Sequence, residues 1–283
     1  MEEKIHQLIK DRNPWLLKDS FLSKIIYNLL KKYLRFGETV FVGDHIQSMT
    51  GEEAFNWLGG EYTSNSSVEG LENIPKDGKF LIVSNHPMGA ADAIALYHKI
   101  YPVRNDLFFF ANELFVYLLG AFHELLAPVV WNKEKETHSA NKVTLERLSV
   151  FFGDERPGII FPSGRLSRLT FFGLWDRPWE KTPIALAKKY NFPLIPVYVE
   201  GRNSWFFYFA SYVNKQLRDV SQLNELFNKR DKNMSIKIGK PVNVSSLSDN
   251  NDIAINQLRY KSESLRKKAL LKLNRFIYLR NLR

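Results

Sequence analysis

His86 and Asp92, within LIVSNHPMGAADAIALYHKI, are the residues whose types and spacing point most directly to chemistry. An imidazole exchanges protons near neutral pH, and a carboxylate beside it can hold one ring tautomer and stabilise the imidazolium. On one continuous helix a six-residue separation would turn the two side chains about 240° apart. They can meet only if His86 lies in a turn ahead of the helix, where Gly89 supplies backbone freedom. The ring nitrogen facing away from Asp92 would then remove a proton from a hydroxyl. The alternative is structural: Asp92 favours the positive end of its helix, and His86 packs in the turn.

Other chemistries have less support. The chain has no cysteine, so no thiolate nucleophile, thiolate metal site or disulfide is available. His6, His45, His98, His123 and His138 have no comparable surroundings, and no spacing matches a zinc-binding helix or a glycine loop that cradles phosphate. Neither a metal nor a cofactor is expected.

The elements that would position the pair read as an α/β fold: a mixed, largely parallel central sheet flanked by helices. FLIVS (80–84), DLFFFA (106–111), PGIIF (157–161), LIPVYVE (194–200) and MSIKIG (234–239) suggest strands, mostly continuous apolar runs covered on both faces. Helices are expected at 90–100, 141–152 and 182–190, and this alternation places His86 at the carboxyl end of a strand, where α/β sheets gather ligands. The Ser- and Asn-rich stretch 60–70 reads as a connecting loop. With 283 residues, 45% of them hydrophobic, we expect an N-terminal amphipathic helical region (1–65), a catalytic domain (66–245) and a basic C-terminal helical extension (246–283).

The net charge is +10, which favours an anionic partner. In FLSKIIYNLLKKYLRF, Lys24, Asn28, Lys31, Lys32 and Arg35 are read on one face, with Phe21, Leu22, Ile25, Ile26, Leu29, Leu30 and Tyr33 around the other; this helix either caps the core or docks on a membrane surface. SESLRKKALLKLNRFIYLRNLR repeats the pattern, so basic amphipathic helices are expected at both ends and an anionic membrane surface is the expected partner. The most apolar windows, 107–122 and 205–213, are interrupted or too short to span a bilayer. The N-terminus lacks the apolar core of a secretory signal. We therefore expect a cytoplasmic protein associated peripherally with the inner face of the cell membrane. Nucleic-acid binding lacks a motif and is not expected.

Residues 70–96, GLENIPKDGKFLIVSNHPMGAADAIAL, resemble the first motif region of the glycerolipid and lysophospholipid acyltransferase superfamily, the PlsC-like enzymes. Five residues separate His86 from Asp92 where that superfamily usually has four, but Asn85, His86, Pro87, Gly89 and Asp92 match a branch with the pattern Asn-His-Pro-x-Gly-x-x-Asp. GIIFPSGRLSR (158–168) is similar to the acceptor-binding motif Phe-Pro-Glu-Gly-Thr-Arg-Ser: Phe161, Pro162, Gly164 and Ser167 agree, while Ser163, Arg165 and Leu166 depart from it. PLIPVYVEGRNSWFF (193–207) resembles the following strand, with Pro196 shaping the pocket wall.

The resemblance implies an acyltransferase with His86 as general base and Asp92 as its orienting carboxylate. The acceptor would meet Asn85, Phe161, Pro162, Ser163, Gly164, Arg165 and Arg168, and a backbone donor near Gly164 is expected to stabilise the oxyanion. The donor would be acyl-CoA or acyl carrier protein and the acceptor a lyso-lipid, a glyco- or aminolipid being as compatible as lysophosphatidic acid. Two alternatives stay open: a non-catalytic lipid-binding relative, and a thioesterase that uses water with the same pair.

Overall fold

The computed structural model describes residues 2–3, 6–7, 19–33, 35–112, 120–129, 138–171, 173–213 and 215–266. The basic stretch after Arg266 and part of the apolar window 107–122 lie outside the described residues.

The sheet order is β1-β9-β8-β2-β5-β3-β4. In chain order these strands are β1 (Ser66–Glu69), β2 (Leu81–Ser84), β3 (Phe108–Asn112), β4 (Leu126–Val129), β5 (Gly158–Ile160), β8 (Leu194–Glu200) and β9 (Met234–Ile238). Neighbours run parallel except β8 and β9, which are antiparallel. A separate hairpin joins β6 (Arg168–Thr170) to β7 (Gly173–Trp175).

The continuous apolar runs are explained by two cores, one on each face of the sheet. Side chains alternate along a strand, so Ile82, Phe109 and Ile159 enter one core, and Leu81, Val83, Phe108, Phe110 and Ile160 enter the other. The first core is closed by α2 (Phe36–Ile46), α3 (Gly51–Tyr62) and α4 (Ala90–Ile100). The second is closed by α5 (His138–Gly153), α6 (Thr182–Tyr190) and α9 (Asn251–Glu263). Helices α3 and α9 come from the two flanks of the sheet region, yet both are integral to the core: Phe55 of α3 meets Tyr97, Phe109 and Phe122 at ring centroids 5.1, 4.8 and 4.5 Å away. Ser262 of α9 donates to the Val197 carbonyl.

Local signals account for several helix ends. Thr50 and Glu53 form a reciprocal capping box at the start of α3. Asn250 caps α9 by accepting from Asp252 and Ile253, and Asn191 ends α6 in the left-handed region at φ 51°. The stretch 60–70 departs from the expected loop: α3 runs to Tyr62, and 66–69 form the edge strand β1, parallel to β9. SSVE carries no strand periodicity of its own, so its pairing comes from a partner far along the chain.

Two more helices, α7 (Trp205–Val213) and α8 (Lys215–Phe227), follow β8. At the N-terminal side, α1 (Phe21–Tyr33) is joined to α7 by the Tyr33 and Phe206 rings, 4.2 Å apart. Phe21, Ile25 and Leu29 form an exposed stripe on α1, and Trp205, Phe209 and Tyr212 are exposed on α7. Phe207 and Tyr208 turn inward. Among the described residues no helix is long and apolar enough to cross a membrane.

Candidate active site

Three adjacent strands, β8, β2 and β5, run parallel and release their carboxyl ends side by side. The loops that follow carry Gly201 to Ser204, Asn85 to Gly89 and Phe161 to Arg165. This arrangement brings the three sequence segments singled out above to one edge of the sheet.

Asn85 joins two of these loops. Its Nδ2 donates to the Val199 carbonyl at 2.8 Å and its Oδ1 accepts from Val199 N at 2.7 Å. The side chain therefore extends the β2 to β8 pairing and stiffens the base of the His86 turn.

His86 lies outside the helix, and Asp92 occupies its first turn. Gly89 bridges them at φ 81°, a conformation that favours glycine. Asp92 is completely buried, and its Oδ2 accepts from Met88 N at 2.8 Å and Gly89 N at 3.0 Å. The same oxygen lies 3.0 Å from His86 Nδ1. The approach is off the line of a well-formed hydrogen bond, since Nδ1 has no partner that meets the angular requirement. Such contacts commonly tighten when substrate binds. The imidazole stacks on Phe161, with centroids 4.0 Å apart and planes at 22°. Phe161 thus orients the imidazole from the neighbouring strand's loop.

Asp176 was not apparent from the sequence. Its Oδ1 accepts from the His86 backbone N at 3.2 Å and from the Ser167 hydroxyl, and its Oδ2 accepts from Trp179 Nε1 at 2.9 Å. Ser167 N returns a bond to the His86 carbonyl at 2.8 Å. The residue keeps some exposure, but desolvation of its carboxyl pushes the pKa up, against the lowering effect of its three donors. The only local signal is an acid between two tryptophans in WDRPW; the tie to His86 spans 90 residues.

The second segment forms a tight turn. Gly164 has φ 58°, and its N–H donates to the Phe161 carbonyl at 3.0 Å. That bond engages the Gly164 amide within its own turn. Ser163, at the position usually acidic in the superfamily, donates to the Arg165 carbonyl at 2.7 Å and holds the turn. The Pro162 carbonyl accepts from Glu180 N at 3.0 Å. Pro162, Ser163 and Gly164 thus build the loop, leaving Arg165 and Arg168 as the exposed cationic members. Arg177 has its pKa lowered by desolvation first and then by Arg165, Arg168 and Arg218, which places four guanidinium groups in one electropositive neighbourhood.

The third loop is anchored by a buried pair. Glu225 accepts from Ser204 N at 2.8 Å and from Lys229 Nζ at 3.2 Å. Lys229, 1% exposed, also donates to Asn203 Oδ1 at 3.0 Å; desolvation lowers its pKa. Arg202 lies over the Trp205 ring, 5.4 Å from its centroid.

A cavity of about 310 Å³ opens between β8, the β6–β7 hairpin and the end of α9. Its walls include Asn85 and Pro87, on either side of His86, together with Ser167 and Asp176. Among the described residues no group of His, Asp and Glu is arranged to hold a metal ion.

The sheet, the turn and the paired His86 and Asp92 define an α/β protein that holds an imidazole against a buried carboxylate at the carboxyl edge of its sheet. The chain belongs to the family described as Acyltransferase, which matches residues 52–276. A lyso-glycine lipid O-acyltransferase of Phocaeicola vulgatus is 31% identical over 182 residues, covering 62% of this chain and 63% of that protein, slightly under two thirds of its length. The corresponding protein of Bacteroides thetaiotaomicron is 27% identical over 245 residues, 84% of this chain and 87% of the relative. The crystal structure of the Thermotoga maritima 1-acyl-sn-glycerophosphate (LPA) acyltransferase, PlsC, aligns at 22% identity over 89% of this chain and 97% of that one, with a TM-score of 0.48.

Proposed function

We propose that the protein is a lipid O-acyltransferase that transfers a fatty acyl group from a thioester donor to a free hydroxyl of a lyso-lipid at a membrane surface. The carrying observation is the 3.0 Å approach of His86 Nδ1 to buried Asp92 Oδ2 at the carboxyl edge of the sheet. The two curated relatives, both lyso-glycine lipid O-acyltransferases, favour a lyso-aminolipid acceptor. Ser163, at the usually acidic position of the acceptor motif, agrees with an acceptor other than glycerol phosphate.

In this reading His86 Nε2 takes the hydroxyl proton as the oxygen attacks the thioester carbon. Asp92 stabilises the imidazolium that forms. Collapse of the tetrahedral intermediate breaks the carbon–sulfur bond, and the thiolate recovers the proton from the imidazolium. No acyl-enzyme is required. Arg165, Arg168 and Arg177 offer an electropositive rim for an anionic donor, either acyl-CoA or acyl carrier protein.

Membrane docking is supported by the exposed apolar residues of α1 and α7 beside Lys24 and Lys32, and by Phe171, 98% exposed at the β6–β7 hairpin. Aromatic and basic residues of this kind suit the headgroup region of a bilayer.

The test is thiol release from long-chain acyl-CoA or acyl carrier protein, with lyso-lipid extract present or withheld, beside His86→Ala. Acceptor-dependent release that vanishes in the variant supports the proposal. Release that ignores the acceptor indicates a thioesterase, and binding without release from either donor indicates a non-catalytic relative.

A further inference from the structure

Among the described residues, Lys229 and Glu225 are the most deeply buried charged groups that the acyl-transfer chemistry leaves unused. Burying an ion pair is costly and adds little net stability; neutral donors would anchor the 201–204 loop as well. Gln222, Glu225 and Lys229 recur at the i, i+3, i+7 spacing of one helix face. Lys229 continues that face in the closing turn of α8, where its N–H donates to the Leu226 carbonyl at 3.0 Å. Through Gln222 the face reaches the His86 turn: a Cβ at Gly89 would lie 3.5 Å from Gln222 Oε1. At the other end, Lys229 Nζ donates to Asn203 Oδ1 at 3.0 Å, Asn228 Oδ1 at 2.9 Å and Glu225 Oε2 at 3.2 Å. Two residues before Asn203, Gly201 packs so closely on the Met88 thioether that no Cβ would fit, and Met88 N donates to Asp92. A short chain of packed groups therefore connects Lys229 to Asp92. Asp92 is completely buried, and among the described residues its Oδ1 has no hydrogen-bond donor. A buried charge so sparsely bonded requires compensation from its surroundings.

We infer that Lys229 is a positioning residue of the transfer reaction: its buried ammonium holds the 201–204 loop against Met88 and places a fixed positive charge behind Asp92. That charge acts on the Asp92 and His86 pair through space, and Lys229 touches no substrate. The inference rests on the acyltransferase proposal and adds a residue to its machinery. The charges around Lys229 agree with it: desolvation lowers its pKa, Glu225 and then Asp92 raise it, and Lys232 lowers it. From α7, Tyr208 accepts from Asn203 N at 3.0 Å. Burial raises that phenol to about 12, with Glu225 and Asp92 adding to the rise and Arg202 opposing it. Asp176 faces the His86 backbone N–H from the hairpin side and is unaltered in every variant used below.

The coupling is read first without turnover. In the full chain labelled with 13C at lysine Cε, Lys229 is the resonance that titrates below the other lysines. Asp92→Asn removes a negative charge that favours its ammonium and should displace this curve downward by about 0.5 pH unit or more. His86→Ala removes an imidazole that is neutral where lysines titrate and should leave the curve in place. Turnover reads the reciprocal effect. The Asp92 and His86 pair takes up a proton more readily once a neighbouring cation is gone, whichever of the two holds it. Lys229→Gln should therefore move the acid limb of the kcat/KM profile to higher pH by about 0.5 pH unit or more, and Lys229→Arg, which keeps the charge, should restore it. A purely structural role would lower the melting temperature and move neither curve. Absence of a lysine that titrates below the others, an unmoved curve in Asp92→Asn, or an unmoved acid limb in folded Lys229→Gln would overturn the inference. Should Lys229→Gln fail to fold, the Asp92→Asn titration decides alone. Acyl transfer with a Lys229 curve indifferent to Asp92→Asn defeats this inference alone; a responsive curve in a chain that transfers from neither donor defeats the acyltransferase proposal alone.

Discussion

Asp92 Oδ2 approaches His86 Nδ1 to 3.0 Å while it accepts the main-chain N–H groups of Met88 and Gly89. One oxygen therefore shapes the turn and faces the imidazole. Asp92→Asn can keep an oxygen toward both amides while removing the charge that stabilises the imidazolium. We expect kcat to fall by about 10²–10⁴-fold with the melting temperature nearly held, and His86→Ala to lose at least as much. Turnover by the thiol-release assay and melting by circular dichroism check both; wild-type kcat in either variant rules out the mechanism.

Asp176 receives only donors: His86 N, the Ser167 hydroxyl and Trp179 Nε1. In Asp176→Asn the amide nitrogen must face either the His86 N–H or the Trp179 N–H. We expect a loss of about 1–3 kcal/mol in urea unfolding together with reduced kcat. Unchanged kcat would show that the turn keeps its geometry without this carboxylate.

Phe55 links α3, α4 and β3 through its contacts with Tyr97 and Phe109. Phe55→Ala leaves a cavity in a two-sided core, and we expect a cost of about 3–5 kcal/mol by chemical denaturation. A cost below about 1 kcal/mol, as for an exposed site, would mean that α3 is not integral to the core.

Burial raises the phenol of Tyr198 to about 12 from an ordinary value of 10.0. The unfolded chain releases this proton near pH 10, whereas the folded chain retains it. The contribution to stability is therefore complete below pH 10 and is lost as pH rises through about 12. Melting temperatures across pH 9 to 12, compared with Tyr198→Phe, should show a shallower alkaline decline in the variant. Parallel curves would contradict the assignment.

Lys31 and Lys32 lie in the last turn of α1, which carries the exposed apolar stripe, and Arg35 follows it. Each basic residue at an anionic surface contributes about 1 kcal/mol, so replacing all three by Glu should lower co-sedimentation with anionic vesicles by about tenfold or more. Unchanged sedimentation would return α1 to a purely structural role.

The sequence by itself determined the α/β class, the strands buried on both faces, and the turn needed to bring His86 to Asp92. Each rests on short-range periodicity, helix geometry or a glycine within a few residues. Family resemblance added the order of the three segments but not the bonds within them: Asn85 ties its loop to Val199, and the Gly164 N–H is used within its turn. Only the tertiary structure decided that 66–69 form an edge strand, that Asp176 holds the His86 turn, and that Trp175, Glu263 and Arg266 share a cavity. These relationships join residues about 90 or more apart. Local pattern reports whether a side chain is buried; chain packing decides what it meets there.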